Sequence, residues 1–218
     1  MGMALGVERA RSISGRRCDS ARVGRARPLR VHSLGRRTHS RSSDGTPSGD
    51  YDRSVTGTRR IVVGVAAGDG LDHTIRLLER LREAEVETHL VVAPAAAAAL
   101  ADDIGRVLGL ATYRYDHDNQ AARIASGSFV THGMVIAPCD GATLRAILYG
   151  LASDLVLRAA DVTLKERRPL VIGLSAVAKE ASEDLVRAAS LPRVALVPLS
   201  GVPGDNVDRL LDQLAVPA

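Results

Sequence analysis

Short, almost uninterrupted apolar runs alternate with amphipathic helical patterns from residue 60 to the end of the chain. Such runs lack the polar alternate positions of a half-exposed strand, so they predict strands that are buried on both faces. Strands of this kind separated by helices predict an α/β fold with three layers, in which a parallel sheet has helices on both faces. The five expected strands cover 60–65, 88–93, 133–138, 168–174 and 193–199.

Helical patterns fill the intervals between these strands. They are expected over 71–84, 95–108, 119–126, 141–168, 179–189 and 205–215. Because ligands of such sheets bind at the carboxyl ends of the strands, a site is expected in the loops that follow Val65, Val92, Ala137 and Leu174.

Residues 1–59 differ in composition from the domain expected over 60–218. The first 60 residues contain 14 Arg and five acids, a net charge of +9, whereas the rest of the chain carries −5. This Arg- and Ser-rich segment has no apolar periodicity, so we expect it to be disordered. A start codon placed too early, a solvated tail and an organelle transit peptide all fit it. With Tyr51 as its one aromatic residue and no fold behind the charge, this segment is not predicted to bind nucleic acid.

The cysteines and the hydropathy of the chain limit where in the cell the protein is expected. Cys18 and Cys139 fall in different parts of the chain, so no disulfide framework is available, and we expect a cytoplasmic protein. No segment reaches the ~18 uncharged apolar residues of a membrane span, so no membrane association is expected. The histidines show no metal-ligand spacing, and no metal site is expected.

A glycine-containing loop joins the first predicted strand to the first predicted helix. Gly64, Gly68 and Gly70 place a turn before a helix N-terminus, where backbone N–H groups can hold a phosphate. Asp69 lies in the same turn and suits an N-cap, in which case it would occupy these donors and repel an anion. A phosphate cradle and a capped helix therefore both remain open.

Two longer stretches carry a resemblance to a known family. They are ASGSFVTHGMVIAPCDGATLRAI at 125–147 and LVLRAADVTLKERRPLVI at 155–172. Together they resemble the UbiX-type flavin prenyltransferases, in which S-G-S, P-C-S-x-x-T-L and R-A-A-D-V-x-L-K-E-R-R-P-L-V occur in this order. The resemblance implies a flavoprotein with a three-layer Rossmann-like or flavodoxin-like fold. It also implies that the protein attaches a dimethylallyl group from dimethylallyl phosphate to reduced FMN. It also implies a dodecameric homo-oligomer whose prenylated flavin serves a UbiD-like decarboxylase.

The resemblance also implies roles for individual residues. Those expected to bind FMN are Gly64, Gly70, Ser126, Gly127, Ser128 and Thr143. Lys165 and Arg158 match catalytic family residues that bind the donor phosphate or the leaving group. Spacing alone allows simpler explanations: a glycine C-cap at Gly127, and ion pairs of Arg158 with Asp154 and of Lys165 with Asp161, each four residues apart.

Several positions depart from the family pattern. Asp69 and Asp140 replace small polar residues, APAA at 93–96 replaces S-K-A-A, and GLSA at 173–176 stands where the family has P-R-E. Three functions therefore remain open: an active flavin prenyltransferase, a degenerate relative that binds flavin or serves as a decarboxylase-associated scaffold, and a decarboxylase-type flavoprotein. The last of these usually carries a P-x-M-N motif in place of PCDGATL.

Overall fold

The computed structural model describes residues 58–176, 178 and 182–216, without the side chains of Asp102 and Ser182. The extension expected over 1–59 lies outside these residues, apart from Thr58 and Arg59. Its disorder therefore stays a prediction.

The described chain contains six strands and seven α-helices. The strands are β1 (Arg60–Val65), β2 (Glu87–Val92), β3 (Tyr113–Tyr115), β4 (Gly133–Cys139), β5 (Leu170–Leu174) and β6 (Val194–Pro198). The helices are α1 (Leu71–Glu83), α2 (Pro94–Leu100), α3 (Ile104–Leu110), α4 (Gly141–Leu148), α5 (Leu155–Lys165), α6 (Ser182–Ala189) and α7 (Pro203–Gln213). Short 3₁₀ turns occupy Ala101–Asp103 and Arg123–Ala125.

The strands form one parallel sheet in the order β3-β2-β1-β4-β5-β6. The chain runs outward from β1 in one direction and then from β4 in the other. The order therefore reverses between β1 and β4, which makes this pair the topological switch point, where ligands of such sheets bind. The predicted parallel α/β sheet is confirmed.

Two hydrophobic cores lie on the two faces of the sheet. One includes Leu77 and Leu81 of α1 and Leu210 of α7. The other includes Leu144 of α4 and Val156 of α5. The sheet is thus covered on both faces, as the apolar character of its strands predicts.

The helical predictions were too long in three places. The helix expected over 95–108 is divided into α2, the 3₁₀ turn Ala101–Asp103 and α3. The segment expected as one helix over 141–168 is divided into α4 and α5, because Gly150 adopts a left-handed backbone (φ 66°) and Asp154 then caps a new helix. The helix expected over 119–126 is only the 3₁₀ turn Arg123–Ala125. Strand β3, three residues at the sheet edge, was not predicted.

Within the part of the chain that the structure describes, no helix has the length and apolar content needed to cross a bilayer.

Candidate functional site

The loops after β1, β4 and β5 meet at the carboxyl edge of the sheet. The backbone N–H groups of Ala66 and Ala67 donate to Pro138 O over 3.1 and 3.2 Å, and Ser175 N donates to Cys139 O over 3.0 Å. These hydrogen bonds join the loops after β1 and β5 to the end of β4, beside the switch point. The carboxyl edge of the sheet is therefore the first candidate region for a ligand.

Helix α1 begins in this region without a side-chain cap. Gly70 is its N-cap residue and has a φ of 78°, a left-handed conformation that favours glycine. Among the described residues, no side chain accepts a hydrogen bond from the first turn, and His73 N donates to the backbone oxygen of Gly70 over 3.1 Å. Because the first N–H groups of a helix have no partner within the helix, α1 offers donors to an anion.

Asp69 does not cap α1, so the expectation of an Asp69 cap was wrong. Its Oδ2 accepts a hydrogen bond from Ala176 N over 3.1 Å, across to the loop after β5. The N-cap position belongs to Gly70, one residue later, and the carboxylate of Asp69 is held away from the first turn. The charge of Asp69 nevertheless stays within the loops of the carboxyl edge.

Asp140 does cap a helix. Its Oδ1 accepts from Thr143 N over 2.7 Å at the start of α4. This bond occupies a backbone donor that an anion at the α4 N-terminus would otherwise use. The hydroxyl of Thr143, which is half-buried, is the remaining polar group of this turn.

A hydroxyl missed by the sequence analysis lies in the same region. Ser175 Oγ is buried and, among the described residues, has no hydrogen-bond partner. An unpaired buried hydroxyl costs free energy, so it is a candidate to bind a polar ligand atom. Sequence alone gave no signal for it, because a serine at a strand end is ordinary.

Gly64 lies inside β1, where it is buried beneath α5. A Cβ atom on Gly64 would approach Val156 Cγ1 to 3.0 Å and Met134 Cε to 3.3 Å. The missing side chain therefore lets α5 pack closely on the sheet. The expected role of Gly64 in cofactor binding stays a prediction.

The Ser126–Ser128 segment lies at the other end of the sheet, just before β4. Arg168 donates to Gly127 O over 2.7 Å and to Phe129 O over 2.8 Å. The hydroxyls of Ser126 and Ser128 are exposed and 2.9 Å apart. Arg168 thus fixes the backbone of this segment and leaves its hydroxyls facing outward.

The glycine C-cap considered for Gly127 is wrong. The 3₁₀ turn ends at Ala125, and Gly127 is not among the described glycines with a left-handed backbone. A Cβ atom on Gly127 would contact Glu166 Oε1, which lies at the end of a flexible side chain and can move aside.

Helix α5 carries the two predicted cations. Lys165 Nζ lies 2.8 Å from Asp161 Oδ2, so the predicted i,i+4 pair is confirmed. Arg158 also binds Asp161, over 3.3 Å, and not Asp154. Asp154 instead caps α5 by accepting from Leu157 N over 2.9 Å. One carboxylate therefore holds both cations, whose side chains are 68% and 40% exposed.

The predicted site residues fall into two groups, one at each edge of the sheet. The carboxyl-edge group, named so from here on, contains Gly70 and Thr143; the amino-edge group contains Ser126–Ser128 and Lys165. Arg158 lies between them, since its position on α5 is almost two turns, about 10 Å, from Lys165. A single subunit does not bring the two groups into one pocket.

Cys139 lies at the end of β4 and is fully buried. Burial, and then the neighbouring Asp140 carboxylate, raise the pKa of the Cys139 thiol. The thiol therefore stays protonated and is not suited to be a nucleophile. Among the described residues, no group of three His, Cys, Asp or Glu side chains is arranged to hold a metal ion.

Comparison with protein families gives a match to the Flavoprotein family model over residues 50–181. A curated relative, a probable UbiX-like flavin prenyltransferase from Bacillus subtilis, is 46% identical over 127 residues. This alignment covers 56% of the present chain and 62% of the relative, less than two thirds of its length.

Two solved structures match over nearly their whole length. A crystal structure of AnUbiX (PadA1) in complex with FMN and dimethylallyl pyrophosphate has a TM-score of 0.67 and 32% identity, over 73% of this chain and 93% of that one. The dodecameric FMN-dependent UbiX-like decarboxylase from Escherichia coli O157:H7 has a TM-score of 0.64 and 35% identity, over 72% and 94%.

Proposed function

Since the chain belongs to the Flavoprotein family and to its UbiX-type flavin prenyltransferases, we propose that it transfers a dimethylallyl group from a phosphate ester to reduced FMN. Its product would serve a UbiD-like decarboxylase. Action in the cytoplasm is part of the proposal and is supported by the free thiol of Cys139.

The observation that carries this proposal is the uncapped N-terminus of α1 at the switch point. Asp69 accepts a hydrogen bond from Ala176 N and leaves the N–H groups of Leu71 and Asp72 available, whereas His73 N donates to Gly70 O. A phosphate at such a position gains both these hydrogen bonds and the positive end of the helix dipole. The described residues therefore fit the phosphate group of FMN.

Other residues fit the flavin ring and the prenyl donor. Gly127 and the small side chains of Ser126 and Ser128 would let a planar ring approach the backbone. When bound, the flavin supplies the nucleophilic ring that accepts the dimethylallyl group. Lys165 and Arg158 would stabilise negative charge on the departing phosphate, in competition with Asp161.

Assembly is part of the same proposal. The carboxyl-edge and amino-edge groups lie at opposite ends of one sheet, so a complete pocket needs the carboxyl edge of one subunit beside the amino edge of another. The dodecamer formed by the Escherichia coli relative supports a homo-oligomer of this kind. Head-to-tail contacts that close into a ring are a common route to such assemblies.

A second candidate function is flavin binding without prenyl transfer. The observation that favours it is the loop after β5, where Ser175 and Ala176 stand at the positions that carry Arg and Glu in the resembled family. Without those side chains, the site has fewer groups to stabilise a departing phosphate.

One experiment separates the two candidates. Purified protein is incubated anaerobically with reduced FMN and dimethylallyl phosphate, and the flavin is analysed by mass spectrometry. A flavin heavier by one dimethylallyl group supports the prenyltransferase. Bound but unmodified FMN supports the second function, and protein that binds no FMN contradicts both.

A matched control uses Lys165→Gln, which removes the cation and keeps a polar side chain of similar length. We expect this variant to bind FMN normally and to lose most of the prenyl transfer, because only the phosphate of the donor depends on the charge.

A further inference from the structure

A buried histidine, His89 of β2, packs against Phe129, the residue that follows the Ser126–Ser128 segment. Its side chain is fully buried, and both of its ring nitrogens have partners. Nε2 lies 2.9 Å from Glu87 Oε1, and Nδ1 lies 2.9 Å from Tyr115 Oη. Sequence analysis gave this residue no role.

The partners of His89 fix its tautomer. Burial acts to raise the pKa of Glu87, but hydrogen bonds from His89 and Arg60 outweigh it and lower that pKa, so Glu87 is a carboxylate. A carboxylate only accepts, so Nε2 must carry the hydrogen. Nδ1 then accepts from the Tyr115 hydroxyl. The neutral imidazole satisfies every polar group of this trio.

The ring of His89 is also the centre of an aromatic cluster. It stacks on Tyr113 at 4.9 Å between centroids and meets Phe129 edge-on at 5.1 Å. The guanidinium of Arg123 lies over Tyr113 at 4.9 Å, and that of Arg60 lies over Phe129 at 5.5 Å. Phe129 is the only phenylalanine of the chain.

Phe129 links this cluster to the Ser126–Ser128 segment. It directly follows Ser128, and its N–H donates to Ser126 O over 3.1 Å. Arg168 holds the backbone of the segment, whereas His89 contacts the Phe129 side chain. The segment is therefore held from two sides, and only the side of His89 contains a group that titrates near neutral pH.

We propose that neutral His89 is a positioning residue that holds Phe129, and through it the Ser126–Ser128 segment, in place, and that protonation of His89 releases the segment. An effect of this release on flavin binding rests on the proposed function. The contact between His89 and Phe129 does not depend on that function.

The groups that face His89 show why protonation disrupts the cluster. A protonated Nδ1 becomes a donor, so the Tyr115 hydroxyl must turn its own hydrogen elsewhere. Arg123 and Arg60 add repulsion, and Tyr113 contributes only its stacked ring, whereas Glu87 favours the charged form. Burial is the largest influence and lowers the pKa of His89 from the usual 6.5. The neutral form therefore persists to below that pH.

Two variants must shift the transition in opposite directions. Tyr115→Phe removes the donor that favours neutral His89, so release should occur at a higher pH. Glu87→Gln removes the charge that favours protonated His89, so release should occur at a lower pH. We expect shifts of at least about half a pH unit, which is a modest change for a lost hydrogen bond or charge.

Hydrogen exchange of the Phe129 amide reports the release of the segment. It is measured on the full chain without flavin, from about pH 5 to about pH 8, and is corrected for the intrinsic exchange rate. His132→Gln is the control, because His132 lies at the same edge and accepts from Arg60 N over 3.1 Å, whereas His89 is the histidine that packs against Phe129. This control should leave the transition unchanged.

Unmoved transitions in both variants, or shifts in the same direction, would overturn the proposal. If either Tyr115→Phe or Glu87→Gln does not fold, the remaining variant and a separate His89→Gln variant test the proposal. His89→Gln should abolish the pH transition of the Phe129 amide while other segments exchange normally. FMN affinity measured at the same pH values is a separate test. Opposite shifts in exchange without any FMN binding would uphold the positioning role and contradict the proposed function.

Discussion

The carboxylate of Asp69 is bound to the backbone of Ala176 rather than to the helix that it precedes. Gly70 makes this possible, because its left-handed backbone occupies the N-cap position and separates Asp69 from the first turn of α1. The acid therefore does not occupy the donors of α1. It still places a negative charge near any phosphate bound there.

Replacing Asp69 by serine tests the cost of that charge. Two like charges at ~4 Å repel by ~4 kcal/mol at an effective dielectric of 20, and solvent and the Ala176 N–H reduce this figure. We expect Asp69→Ser to tighten FMN binding by at least about tenfold. The lost hydrogen bond should lower the free energy of unfolding by about 1 kcal/mol.

The measurement is an FMN titration followed by flavin fluorescence, with thermal unfolding in parallel. Asp212→Ser is the matched control, because it makes the same charge change on an exposed side chain near the C-terminal end of α7, away from the carboxyl edge. Equal affinities of wild type and Asp69→Ser would show that no phosphate binds beside this loop.

Asp140 is tested by comparing two substitutions. Asp140→Ser keeps a side chain that can cap α4, whereas Asp140→Ala removes the bond to Thr143 N. We expect Ala to lower the free energy of unfolding by about 1 kcal/mol and Ser to leave it nearly unchanged. Thermal or urea unfolding measures the difference, and equal losses would mean that the cap does not contribute to stability.

At the scale of the elements, helix α5 combines packing and charge. Its buried face covers β1 at Gly64 and β4 at Met134. Its outer face carries Arg158 and Lys165, both bound to Asp161. The helix therefore places two cations beside one acid, and an anionic ligand must compete with that acid.

Asp161→Asn removes this competition. We expect the affinity for dimethylallyl phosphate to rise about three- to tenfold, while the free energy of unfolding falls by less than about 1 kcal/mol, since exposed ion pairs contribute little. Isothermal titration with the donor measures the effect. Asp184→Asn is the control, because Asp184 pairs with Arg145 on a different helix. Equal donor affinities for the two variants would show that the cations of α5 do not bind the donor.

The same elements show what the sequence can predict. Five of the six strands have long apolar runs, and all five were predicted. β3 was missed because its three residues, Tyr113–Tyr115, lie at the sheet edge and are largely exposed. The division of 141–168 into two helices depends on a glycine and a cap that a continuous helical pattern conceals.

The site was less predictable than the fold because its contacts are not local. The partner of Asp69 lies 107 residues away in the chain, and no pattern around Asp69 indicates it. Asp154 and Asp161 were both possible partners of Arg158. Because Asp154 accepts from Leu157 N as the cap of α5, Arg158 pairs with Asp161 instead. Helical spacing correctly predicted only the pair of Lys165 with Asp161.

At the scale of the whole molecule, the two groups of predicted site residues lie at opposite edges of one sheet. Parallel strands place all their carboxyl ends at one edge, so residues before β4 and residues after it cannot share a pocket within one subunit. If both groups act on the same flavin and donor, they must come from different copies of the chain.

Mixing two defective subunits tests this requirement. Gly70→Ala strains the left-handed backbone of the carboxyl-edge group, and Lys165→Ala removes the cation of the amino-edge group. Each variant alone should lose prenyl transfer. When the two are co-assembled in equal amounts, random association should make about a quarter of the sites from two intact edges, because each site draws one edge from each of two subunits. The same two variants assembled separately and then combined are the control. Activity of the co-assembled oligomer no higher than that of the control would show that both groups act within one subunit or not at all.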